Sequence, residues 1–156
     1  MNTIEDLFPV TTDRGPEGHL HIAGLDLTHL ADQFGTPLYI YDAATVQLQV
    51  DLLKRLLAHH YPAESEITYA AKAYFSLGLA RRLAALGLGV DVVSLGEMSV
   101  ARQGGFPADK VHLHGNNKSP QELEAALRWG VHSIVVDSLE ELDFLAVVLM
   151  SAGLAT

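Results

Sequence analysis

Ile67-Thr68-Tyr69-Ala70-Ala71-Lys72-Ala73-Tyr74-Phe75-Ser76 joins a strand to a helix. The run Ile67–Ala71 is β-branched, aromatic and small, the composition of a short buried strand. A helical pattern then opens near Ser76 and covers Leu77–Leu86. Lys72 stands at the joint. Lysines desolvated where a strand meets a loop serve as nucleophiles toward carbonyls. Lys72 is therefore a candidate Schiff-base lysine. The same position also fits a strand-end lysine whose stem packs and whose head reaches solvent.

Downstream, the same rhythm recurs. Gly89–Val93, Lys110–His114 and His132–Val136 read as strands. Gly96–Gln103, Pro120–Trp129 and Leu139–Met150 read as the helices that follow them. Alternating strand and helix implies parallel strands joined by right-handed crossovers. Four such units are half of a (β/α)₈ barrel, which takes about 250 residues. An open doubly wound sheet is the alternative, and length alone favours it.

Upstream, residues 1–18 are polar, with a turn at Arg14-Gly15-Pro16. His19–Ala23 reads as a strand. Asp26 or Thr28 caps a short helix to Phe34, which Gly35 ends. Pro37–Tyr41 is a second strand-like run. Asp42 then caps a long amphipathic helix to His60, its apolar residues including Val46, Val50, Leu53 and Leu57, and Pro62 stops it.

The 156 residues are 49% hydrophobic and 7% aromatic, which suits an α/β protein with a sizeable core. Ten basic against nineteen acidic residues give a net charge of −9. No Lys/Arg cluster forms a track for a phosphate backbone, so nucleic acid is not an expected partner. The absence of cysteine excludes disulfides and thiolate metal sites, and suits a reducing cytoplasm. Met1–Val10 carries Glu5 and Asp6 and no basic residue, unlike a secretory signal. The apolar run Phe144–Ala152 is too short to span a bilayer, so no membrane partner is expected. Asn117-Lys118-Ser119 matches a glycosylation sequon, read here as chance.

Parallel α/β folds place their chemistry at the carboxyl ends of the strands. That rim gathers Lys72, then Asp91 with Glu97, then His114 and Asn116, then Asp137. Asp91 and Glu97 could orient a cationic amine. Each residue has a plainer reading. Ser94, Ser119 and Ser138 fit helix caps, and Ser138 with Glu141 fits a capping box. Glu97 and Asp137 fit support for helix N-termini, and Asn116 with Asn117 fits a turn. His112 and His114 share a strand face, as do His19 and His21, a spacing that invites metal. No HExxH motif or familiar third ligand accompanies them, and no metal is assigned. Gly87-Leu88-Gly89 precedes a strand instead of following one, so it is no phosphate loop.

Several motifs in order carry a resemblance: Thr36-Pro37-Leu38-Tyr39-Ile40-Tyr41-Asp42, Tyr69-Ala70-Ala71-Lys72-Ala73, Gly89-Val90-Asp91-Val92-Val93-Ser94-Leu95-Gly96-Glu97, His114-Gly115-Asn116-Asn117-Lys118-Ser119 and Val136-Asp137-Ser138. Together they resemble the N-terminal part of the diaminopimelate decarboxylase family. That family sits in the alanine-racemase-like group of pyridoxal-phosphate enzymes, with the ornithine and arginine decarboxylases. The resemblance implies an α/β fold: the N-terminal half of a pyridoxal-phosphate-binding (β/α)₈ TIM barrel. Residues 1–42 would contribute to a second, β-rich domain, and residues 43–156 would form the truncated barrel. It implies that Lys72 binds pyridoxal 5'-phosphate as a Schiff base, with Asp91, Glu97, His114 and Asn116 lining the cofactor pocket. It further implies decarboxylation of meso-diaminopimelate to L-lysine, a small-molecule amino-acid substrate, a cytoplasmic setting and a homodimer as the full-length parent. Another decarboxylase or racemase of the group, or a non-catalytic module that binds the cofactor, is the alternative.

Two positions depart from the family pattern. Tyr74 stands where Asn is usual, and Leu95 where Gly is usual. Family groups from later strands and from a C-terminal domain are not in this sequence. The expectation is a fragment, inactive alone and prone to self-association.

Overall fold

The structure, a computed structural model, describes residues 7–154. Glu5 and Asp6, part of the acidic N-terminal stretch, lie outside the described residues. The chain divides between Ala63 and Glu64 into two compact units.

The first unit opens with an antiparallel sheet in the order β1-β2-β3: Thr12–Arg14, Leu20–Ile22 and Leu25–Asp26. Two-residue β3 runs directly into helix α1, Leu27–Phe34, because Asp26 accepts the Thr28 backbone N–H at 2.8 Å. This satisfies one of the donors a helix start leaves open. Gly35, at φ +81°, ends the helix. Helix α2, Ala43–His60, starts on Asp42, whose carboxylate accepts the Thr45 backbone N–H at 2.9 Å. That carboxylate and the Thr45 hydroxyl hold each other, and the hydroxyl accepts the Val10 N–H at 2.9 Å.

One expected strand is absent. Pro37–Tyr41 is irregular and exposed, Tyr39 at 86%. Its apolar character suits a strand, but the described sheet of this unit is built from β1, β2 and β3 without it.

The second unit repeats strand and helix four times. Strands β4 (Thr68–Ala70), β5 (Gly89–Val92), β6 (Val111–Leu113) and β7 (Ser133–Ile134) form one parallel sheet in sequence order. Helices α3 (Leu77–Ala85), α4 (Leu95–Gly104), α5 (Pro120–Trp129) and α6 (Leu139–Ser151) follow them in turn. The register aligns Ala70 with Asp91, Asp91 with His112, and His112 with Ser133. Alternation along each strand then sorts the side chains. Val90, Val92, Val111 and Leu113 are fully buried, and Leu83, Met98, Leu123 and Ala126 from the helices are buried with them. Asp91, His112 and Ser133 take the other face and are only partly covered. Ala70 shares that face.

Each helix of this unit starts on serine. The Ser76, Ser94, Ser119 and Ser138 side chains accept a backbone N–H three residues on. In the last three helices that third residue is a glutamate, and its carboxylate reaches back. Glu97 accepts from Val93 N at 2.7 Å, Glu122 from Ser119 N at 2.8 Å, and Glu141 from Asp137 N at 2.8 Å. A Ser-x-x-Glu word therefore fixes every rim loop after β5, β6 and β7.

Candidate cofactor site

The rim of the second unit is built at the carboxyl ends of its strands. Lys72 sits in a single 3-10 turn, Ala71–Ala73, directly after β4. Ala71 is buried and pins the turn, while Lys72 is exposed. Among the described residues, Lys72 makes no hydrogen bond or ion pair. Tyr69 donates its hydroxyl to the Tyr74 carbonyl at 2.7 Å, closing the chain over the turn.

On the neighbouring strand, Asp91 meets His114. Asp91 Oδ1 lies 3.5 Å from His114 Nε2, and both side chains remain part-exposed. The backbone N–H of His114 continues the ladder by donating to the Val92 carbonyl at 2.8 Å. Asn116 is exposed in the following loop. Glu97 is placed differently: its carboxylate is engaged by the Val93 N–H, as a cap for α4. The structure thus joins Asp91 to His114, and shows no hydrogen bond or ion pair among Lys72, Glu97 and Asn116.

The histidine pairs are used separately. His112 Nδ1 lies 2.8 Å from Ser133 Oγ, and its ring meets that of His132 edge-on. His19 and His21 both approach Asp26, at 2.8 and 3.9 Å. The hydrogen bond to Asp26 raises the His19 pKa above its usual value.

One residue escaped sequence reasoning. Lys118, noted only as part of a motif, is buried, with its side chain 2% exposed. Its ammonium donates to the Gly115 carbonyl and to Glu141 Oε1, the latter at 2.8 Å. The Lys118 bond, then the Asp137 N–H, hold the Glu141 carboxyl below its usual range. The Ser119 N–H does the same for Glu122. A cleft of about 430 Å³ opens here, with Asn116, Lys118, Asp137 and Glu141 among its lining residues. A lysine in a polar loop gives no sequence sign of burial. The only signal was the Ser-x-x-Glu word downstream, whose glutamate could take an ion-pair partner.

Parallel βα units with polar groups and a lysine gathered at the strand ends define an α/β domain with a candidate ligand site at that rim. The chain belongs to the pyridoxal-dependent decarboxylases, whose pyridoxal binding domain matches residues 44–155. The residues present fit that group. Lys72, without a hydrogen bond or ion pair among the described residues, would offer an amine for attachment, and the Asp91–His114 pair would offer polar contacts on the next strands.

Relatives agree. Diaminopimelate decarboxylase of Bacillus methanolicus is 41% identical over 138 residues, covering 88% of this chain and 32% of that protein. The enzyme of the same name from Mycobacterium bovis is 38% identical over 154 residues, covering 99% of this chain and 34% of that protein. A crystal structure of diaminopimelate decarboxylase from M. jannaschii, in co-complex with L-lysine, superposes with a TM-score of 0.80 at 31% identity. It covers 92% of this chain and 34% of that one. The chain therefore spans about a third of the length of the relatives it matches. Its four βα units are the first half of the family's barrel. No helix among the described residues is long and apolar enough to cross a membrane.

Proposed function

We propose that this chain supplies the lysine-bearing half of the pyridoxal-phosphate site of a diaminopimelate decarboxylase. The reaction converts meso-diaminopimelate to L-lysine and carbon dioxide. The observation that carries the reading is Lys72: an amine without a hydrogen bond or ion pair among the described residues, at the end of the first barrel strand and inside the segment matched to the pyridoxal binding domain. Identity near two-fifths with relatives named diaminopimelate decarboxylase supports the substrate. So does the L-lysine in the M. jannaschii co-complex.

Pyridoxal phosphate, when bound, withdraws electrons as the Cα–carboxylate bond breaks. Lys72 would hold it through Nζ, and the same amine would move a proton near the substrate Cα. Asp91 holds the His114 imidazole toward the pocket, and Asn116 lines the same wall. Glu97 supports that wall through the Val93 N–H, keeping the turn after Asp91 in place. Residues 1–42 go with a β-rich domain and residues 43–156 with the barrel, supported by a family match that begins at residue 44. The full protein acts in the cytoplasm as a homodimer. A cysteine-free chain supports the reducing compartment.

The test is direct. The full protein is expected to show the absorption band of bound pyridoxal phosphate and to release carbon dioxide from meso-diaminopimelate. Lys72→Ala is expected to lose both. A variant that keeps band and turnover removes Lys72 from the anchoring role. A band without carbon dioxide release points to a binding module instead. Residues 1–156 alone are expected to turn over little substrate, and robust turnover by them overturns the half-site reading.

A further inference from the structure

One ammonium ties two rim loops together. Lys118 Nζ reaches the Gly115 carbonyl within its own loop and Glu141 Oε1 in the first turn of α6. The other Glu141 carboxylate oxygen accepts the Asp137 N–H, at the mouth of α6. The loop after β6 is thus tied to the first turn of α6 by the Lys118–Glu141 pair, and through Glu141 to Asp137 in the loop after β7. Gly115 separates His114 from Asn116 and stands at φ +112°, a conformation that side-chain-bearing residues rarely adopt. The path of the chain between those two site residues therefore depends on the turn that Lys118 closes.

A buried ion pair adds little net stability over a well-packed apolar pair, because each charge loses its hydration. What it supplies is direction: a lysine so held can satisfy only one arrangement of the surrounding carbonyl and carboxylate. We propose that Lys118 is a positioning residue, whose ion pair with Glu141 locks the loop carrying His114 and Asn116 and so shapes one wall of the pyridoxal site. This deepens the reading given under Proposed function and rests on it for the identity of the ligand.

The discriminating variant is the double substitution Lys118→Met with Glu141→Leu, made in the full protein. It removes both charges and keeps apolar volume, so thermal stability is expected to fall only by the lost acceptor of the Asp137 N–H, much less than for Lys118→Met alone. Two readouts follow. Amide hydrogen exchange at Gly115, Asn116 and Asn117, measured without cofactor, is expected to accelerate about tenfold or more. Affinity for pyridoxal phosphate, read from its absorption band, is expected to fall about tenfold. Wild-type exchange and wild-type affinity in a stable double variant overturn the proposal, since the pair would then be merely structural. Should the double variant not fold, Glu141→Gln keeps one oxygen for Lys118, and removes the charge together with the second acceptor that holds the Asp137 N–H. Faster exchange at the same amides supports the lock, and unchanged exchange overturns it. If the wild-type protein holds no pyridoxal phosphate, the functional reading fails, while the exchange experiment still judges the lock alone.

Discussion

Gly104 leaves no room for a methyl group. A Cβ there would stand 2.6 Å from the Ala80 Cβ and 3.2 Å from the Ala80 carbonyl carbon, where α4 crosses α3. Helix propensity favours alanine by about 1 kcal/mol. Overpacking against backbone costs about 1–3 kcal/mol, and it wins here because Ala80 is fully buried. Gly104→Ala should lower the urea midpoint, and adding Ala80→Gly should recover most of the loss. Lys118 lies at the opposite extreme. Lys118→Met alone strands the Glu141 carboxylate, and breaking a buried pair from one side costs about 3–5 kcal/mol. Urea titration should show a larger loss for it than for the double variant with Glu141→Leu. His19 tests the pH response. Its raised pKa means that its contribution is complete below the usual 6.5 and is lost as pH climbs through the higher folded value. His19→Gln should flatten the urea midpoint of the first unit across that range. Sequence alone placed Lys72, Asp91 and His114 at strand ends, because hydrophobic alternation marks where strands stop. It missed the Lys118–Glu141 pair, because burial of a charged residue depends on which loops become neighbours.

At the scale of elements, the helix starts were the most legible part. Ser119 and Pro120 open α5 where the sequence suggests, and Gly130 at φ +73° ends it; the full capping box forms here, while the one expected of Ser138 with Glu141 does not, because Glu141 takes the Asp137 N–H instead. Ser119→Ala should cost about 1 kcal/mol, measured by urea unfolding of the second unit. Acid should act on the same caps. Glu122 and Glu141 have lowered pKa values, so their contribution is full above the usual 4.5 and fades as pH falls through the lower folded values. Replacing both by Gln should shrink the loss of stability below that pH. Strand lengths were less legible. The run His132–Val136 yields only Ser133–Ile134 as β7, since an edge strand pairs on one side alone. Pro37–Tyr41 failed for the same reason carried further. Apolar composition announces that a segment wants a partner, and cannot say whether one is present.

For the whole chain, two edges of the parallel sheet, β4 and β7, lack a neighbour among the described residues. The last helix adds exposed Leu139, Val147 and Met150. Residues 1–156 should therefore associate, with a weight-average mass that rises with concentration in sedimentation. A strictly monomeric species would instead favour a self-contained open sheet. Length alone had favoured that open sheet; the ordered motifs had favoured the barrel, and the threefold longer relatives side with the motifs. Such association should run through edges and helices, not through the uncovered face of the sheet. There Ala70, Asp91, His112 and Ser133 stand in one row, where a typical core would show branched aliphatics. Water wets such a surface readily. Two copies gain little by pressing these faces together, so this polar row makes that side of the sheet the less sticky one.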